Sequence, residues 1–119
     1  AVGREPGYVS LDVQPGESVQ TRSHADPHGS IRQTAFREVL GRIGGRAALV
    51  KMDCEGAEWE ILADHESWQR VDFLTAEYHL GAKQGHEAIL SAIREIGFVV
   101  RSHMPSTTFG LVFAERSAR

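Results

Sequence analysis

Apolar and polar residues alternate over residues 7–13, with Tyr8, Ser10 and Asp12 on one side and Val9, Leu11 and Val13 on the other. A period of two predicts a half-buried strand. Pro15-Gly16 stops it, and residues 14–30 are almost wholly polar, which predicts a long mobile loop. A short strand is expected at 31–34. Phe36, Val39, Leu40 and Ile43 then fall on one stripe, predicting a helix capped by Thr34 and ended by Gly44-Gly45. Residues 47–53, AALVKMD, are apolar nearly throughout, as expected of a parallel strand buried on both faces. A helix starting near Gly56 turns Ala57, Ile61 and Leu62 inward. Residues 71–78 predict another strand. Ile89, Ala92, Ile93 and Ile96 recur at helical spacing over 87–96, and Gly97 sits where a helix stops. Residues 98–103 and 109–115 read as strands joined by a turn short enough for an antiparallel hairpin.

Strands alternating with helices imply an α/β fold with a mostly parallel sheet, closed by the antiparallel hairpin. A chain of 119 residues allows one domain, 1–119, or a piece of one. A net charge of −3 with scattered basic residues excludes an electrostatic footprint for nucleic acid. No apolar run is long enough to cross a membrane. The single cysteine, Cys54, rules out an internal disulfide and fits a reducing, cytoplasmic setting. Residue 1 is Ala and both methionines are internal. Removal of an initiator methionine would explain this, and so would a start partway through a longer protein.

Candidate chemistry gathers where strands end, because ligands of open α/β sheets bind beyond the carboxyl ends of the strands. Asp53 ends one strand and Glu77-Tyr78-His79 ends the next. By strand parity Lys51 and Asp53 share a face, as do Glu77 and His79. Lys51 pairing Glu77, with Asp53 beside His79, would make either a structural ion pair with a satisfied histidine or a poised acid–base site. Glu58 and Glu60 are accounted for by a helix start, where the dipole favours acids. Asp53 and Glu55 precede the helix and point at the rim. Asp53, Glu55, Glu77 and His79 are also hard donors suited to a divalent cation, but nothing in the sequence fixes a geometry, and no metal is assigned. His24 and His28 read as loop residues that touch substrate, and His65, His86 and His103 as surface or packing residues. Cys54 reads as a small buried group and not a nucleophile.

The segment LVKMDCEGAEWEIL resembles the hallmark of the FkbM-type methyltransferases, a hydrophobic strand followed by Lys-Ile-Asp-x-Glu-Gly-Ala-Glu and a leucine. TAEYHL, at 75–80, resembles that family's next strand, which ends Glu-x-His. TAFREVL and AVGREPGYVSLDV resemble the segments before the hallmark strand. The resemblance covers nearly the whole chain. It implies an S-adenosylmethionine-dependent enzyme with a Rossmann-like, class I methyltransferase sheet that O-methylates a sugar or other small molecule. In that reading His79 is the base, Asp53 orients it or the acceptor, and Glu55, Glu77 and Lys51 shape the acceptor site. The chain departs from the family in one respect. No Gly-x-Gly-x-x-Gly turn follows a strand, and GRIGGR ends a helix, so the cofactor-binding first half is expected to be missing. The first strand of the remaining sheet, 47–53, would then be an exposed edge open to pairing with another copy. The rival reading is a non-catalytic α/β module acting in assembly or ligand binding.

Overall fold

The computed structural model describes residues 1–12 and 22–118. It is a mixed α/β structure with two four-stranded sheets. The first contains β1 (Val2–Gly3), β2 (Gly7–Asp12), β3 (Arg22–Ala25) and β4 (Ile31–Ala35), in the order β1-β4-β2-β3. The second contains β5 (Ala47–Asp53), β6 (Val71–His79), β7 (Phe98–Pro105) and β8 (Phe109–Arg116), in the order β5-β6-β8-β7. Among the described residues there are four helices: α1 (Phe36–Arg42) leads from the first sheet to the second, and α2 (Glu58–Leu62), α3 (His65–Trp68) and α4 (His86–Glu95) connect strands of the second.

The expected mostly parallel sheet is not what the pairings give. Among the described residues only β1–β4 and β5–β6 are parallel; β2–β3, β2–β4, β6–β8 and β7–β8 are antiparallel. Because β8 slots between β6 and β7, those two strands still point the same way, with α4 as their crossover. The final hairpin forms as expected, with a register shift between Val100 and Ser102.

The core lies on one face of the second sheet. Met52, Leu74, Ala76, Tyr78, Val112 and Ala114 meet Leu40, Ile61, Leu62, Ile89 and Ile93 from the helices. Trp68 is the centre of this layer. It packs against Phe36 at 4.8 Å and Phe98 at 5.9 Å, and its indole N–H donates to the Ile61 carbonyl. Arg116 ties the far end together. Its guanidinium donates to the carbonyls of Val71, Ile96 and Trp68 and lies over the Phe98 ring. On β8, Gly110 sits where any side chain would run into the Tyr78 ring and hydroxyl, so close approach requires glycine there.

The opposite face is open, which corrects the expectation that 47–53 is buried on both faces. Within β5 only Met52 is buried, and Leu49 is 54% exposed. The apolar run reflects one buried and one uncovered face. Other differences are local. Residues 14–21 of the expected 14–30 loop, and Val13 of the expected 7–13 strand, lie outside the described residues, but Arg22–Ala25 is a strand on the sheet edge. All four of its residues are exposed, so no alternation marks it. In β2, Val9 is buried but Leu11 is exposed. Thr34 ends up inside β4; Ala35 precedes α1 and gives no side-chain cap. Ile43 leaves the α1 stripe and is exposed, whereas Phe36 and Leu40 are buried.

Candidate functional site

The parallel register of β5 and β6 sets Asp53 opposite Glu77, and His79 lies two residues further on the same face of β6. One ligand atom each from Asp53, Glu77 and His79 comes within 4.8 Å of the other two, a grouping of donors that could hold a divalent cation. Lys51 stands opposite Thr75, two pairs further from the rim, and its side chain is exposed. It makes no ion pair among the described residues, so the expected Lys51–Glu77 contact is corrected: the register gives Glu77 to Asp53.

The turn from β5 into α2 brings two more acids to His79. Gly56 adopts φ +108° and Glu55 φ +51°, so the chain reverses sharply at a residue without a Cβ to obstruct it. The Glu55 carboxylate thereby reaches His79 Nε2 at 3.4 Å, and Glu77 approaches the same nitrogen at 3.7 Å.

Glu58 is the residue the sequence reading misplaced. It was expected on a solvated helix start, yet it is 0% exposed. Its carboxylate accepts hydrogen bonds from the backbone N–H groups of Cys54 and Gly56, both at 2.9 Å, and faces His79 Nδ1 at 3.4 Å. Burying a carboxylate is costly unless hydrogen bonds replace its water, and here two backbone donors and an imidazole do so. The clue was present in Asp-Cys-Glu-Gly-Ala-Glu: an acid two residues after a turn glycine can fold back onto that turn. An acid at a helix start is equally favoured by the dipole when exposed, so the pattern fits both placements.

His79 is fixed on its other sides too. The Trp59 indole N–H donates to its carbonyl at 3.0 Å, and the Phe109 ring lies against the imidazole with centroids 6.5 Å apart. A cavity of about 320 Å³ opens beside it, bounded by Glu55, Trp59, His79 and Gln84 with Arg22 and Ser23. Glu60 is exposed, as expected of a helix flank. The Cys54 thiol is pushed up by burial, with a smaller effect of the Glu58 charge, which fits its reading as an inert group.

The other histidines divide. His24 pairs exposed with Asp12 at 3.2 Å, and the His28 backbone donates to Asp26. His86 and His103 belong to a second network, which sequence reading reduced to packing. The Tyr78 hydroxyl lies 2.5 Å from His86 Nδ1 and 2.7 Å from His103 Nε2, while His86 Nε2 meets the Ser106 carbonyl at 2.7 Å. That carbonyl can only accept, so Nε2 of His86 carries the proton and Nδ1 accepts from Tyr78. The Tyr78 oxygen in turn accepts from His103.

No curated protein and no solved structure matches the chain. The family described as the methyltransferase FkbM domain does, over residues 7–100. That span runs from β2 to the start of β7 and includes every residue of the rim cluster, and the chain therefore belongs to the FkbM methyltransferase domain family.

Proposed function

We propose that this chain supplies the acceptor side of an S-adenosylmethionine-dependent O-methyl transfer to a hydroxyl of a small molecule or sugar. The observation that carries the reading is the His79 imidazole at the strand rim, faced by Glu55, Glu58 and Glu77 and open to a cavity. His79 takes the hydroxyl proton at Nε2; Asp53 orients the acceptor, and Glu55, Glu77 and Lys51 line its approach. A positioned base of this kind contributes roughly 10²–10⁴-fold. The parallel β5–β6 pair and the co-directional β7 support the view that the second sheet is the later part of a Rossmann-like methyltransferase sheet.

S-adenosylmethionine does not fit the residues described. The glycine turn from a strand into a helix at Cys54–Gly56 has its Cys54 and Gly56 N–H groups taken by Glu58, and the sequence holds no Gly-x-Gly-x-x-Gly turn after a strand. By this reading the chain is inactive by itself. The same observation favours a second reading, a non-catalytic module for assembly or ligand binding.

Calorimetric titration with S-adenosylmethionine tests the half-site reading: no heat of binding is expected, and a saturable isotherm would overturn it. In an FkbM enzyme with a complete cofactor pocket, alanine in place of the histidine equivalent to His79 should reduce turnover at least tenfold and leave cofactor binding intact. Unchanged turnover would remove His79 from the mechanism and leave the non-catalytic reading.

A further inference from the structure

We propose that Glu58 is the positioning residue for His79: its buried carboxylate holds the proton on Nδ1, so that Nε2 is bare and aimed at the rim. The inference rests on the reading of His79 as the base.

A neutral imidazole carries one N–H, and two sides of His79 compete for it. Nε2 faces Glu55 at 3.4 Å and Glu77 at 3.7 Å; Nδ1 faces Glu58 at 3.4 Å. Exposure decides between them. The side chains of Glu55 and Glu77 are 28% and 37% exposed, so water can satisfy their oxygens if Nε2 offers only a lone pair. Glu58 is wholly enclosed and has no such recourse. A bare Nδ1 against that enclosed carboxylate sets a lone pair against a negative charge with no donor between them, an arrangement disfavoured by roughly 1–3 kcal/mol or more where a charge is involved. The proton therefore belongs on Nδ1.

Glu58 is also held in place independently of His79. Its Oε1 accepts from Cys54 and its Oε2 from Gly56, so both oxygens are anchored to the backbone of the turn. The imidazole is aligned to a fixed carboxylate, and its carbonyl is pinned by Trp59. When an acceptor hydroxyl stands at the rim, its proton passes to Nε2 and the bonding pair stays on oxygen. The imidazolium that forms retains its Nδ1–H toward Glu58, whose negative charge balances it. This is the arrangement by which a buried carboxylate selects the tautomer of a catalytic histidine in other enzymes.

The test is ¹⁵N–¹H correlation spectroscopy of the six histidine rings in the intact chain, at a pH where His79 is neutral, with His79 assigned by loss of its signal in His79→Gln. The wild type should show the Nδ1–H tautomer. In Glu58→Gln the carboxamide can donate to Nδ1, and the population should shift to Nε2–H; Glu58→Asp should keep Nδ1–H. An Nε2–H tautomer in the wild type overturns the proposal, as does a tautomer unchanged in Glu58→Gln. If Glu58→Gln does not fold, the wild-type spectrum alone decides. None of these readings depends on methyl transfer, so a failure here is separable from a failure of the proposed function.

Discussion

Glu58 spends its charge on the turn as well as on His79. Without its carboxylate, the N–H groups of Cys54 and Gly56 would lose their acceptor in a place where Gly56 and Glu55 already hold positive φ. Glu58→Ala should therefore destabilise the fold by roughly 3 kcal/mol, the range for removing one partner from a buried charged network. Urea denaturation would show the midpoint falling with little change in slope; a shift under about 0.5 kcal/mol would mean that the carboxylate is not structural. Beside it, the thiol of Cys54 is raised by burial, so little thiolate forms near neutral pH. Iodoacetamide should label native Cys54 more slowly than the unfolded chain, and equal rates would contradict its partial burial.

Elements with a strong period were legible, and those without one were not. The α4 stripe put Ile89, Ile93 and Ile96 inward as the buried set requires, and β6 and the β7–β8 hairpin fell close to their expected bounds. α3 is one short turn whose burial depends on Trp68 and Ser67, and four residues show no period; β3 is exposed throughout. The rim was legible because strand ends follow from strand assignments, so Asp53, Glu77 and His79 could be grouped by parity. Contacts that depend on a turn folding back, such as Glu58 on His79, or on three separate elements, such as Tyr78, His86 and His103, leave no local trace. The last of these makes a pH prediction. Burial raises the Tyr78 phenol above its ordinary value near 10. A group raised in the folded state keeps its proton there while the unfolded chain loses it, so stability is undiminished below pH ~10 and falls as pH rises beyond it. Tyr78→Phe should cost about 1–3 kcal/mol at pH 7, since His86 Nδ1 and His103 Nε2 lose their partner. It should also flatten the alkaline decline. Urea midpoints of both proteins from pH 7 to 11 check this, and parallel declines would exclude Tyr78 as the source.

At the scale of the whole molecule, the second sheet is finished on one face and unfinished on the other. β5 pairs only with β6 among the described residues, so its outer edge is open. On the uncovered face Leu49, Phe73, Leu111 and Phe113 are each more than a third exposed, and the Phe73 and Phe113 rings stack at 6.2 Å. An open edge beside an apolar patch favours strand addition. The proposed occupant is a second copy, because the end of β5 is self-complementary: antiparallel pairing over residues 51–53, centred on Met52, sets Lys51 of each chain opposite Asp53 of the other. Directly opposed charges contribute roughly 0.2–1 kcal/mol per pair, and like charges cost a similar amount. Lys51→Glu turns two attractive pairs into two repulsive ones and should weaken dimerisation about tenfold or more. Lys51→Glu combined with Asp53→Lys restores opposite charges across the pair and should recover it. Sedimentation velocity over a concentration series distinguishes the outcomes. A wild-type chain that stays monomeric at high concentration excludes the pairing, and a dimer indifferent to Lys51→Glu moves the contact from the β5 edge to the apolar face.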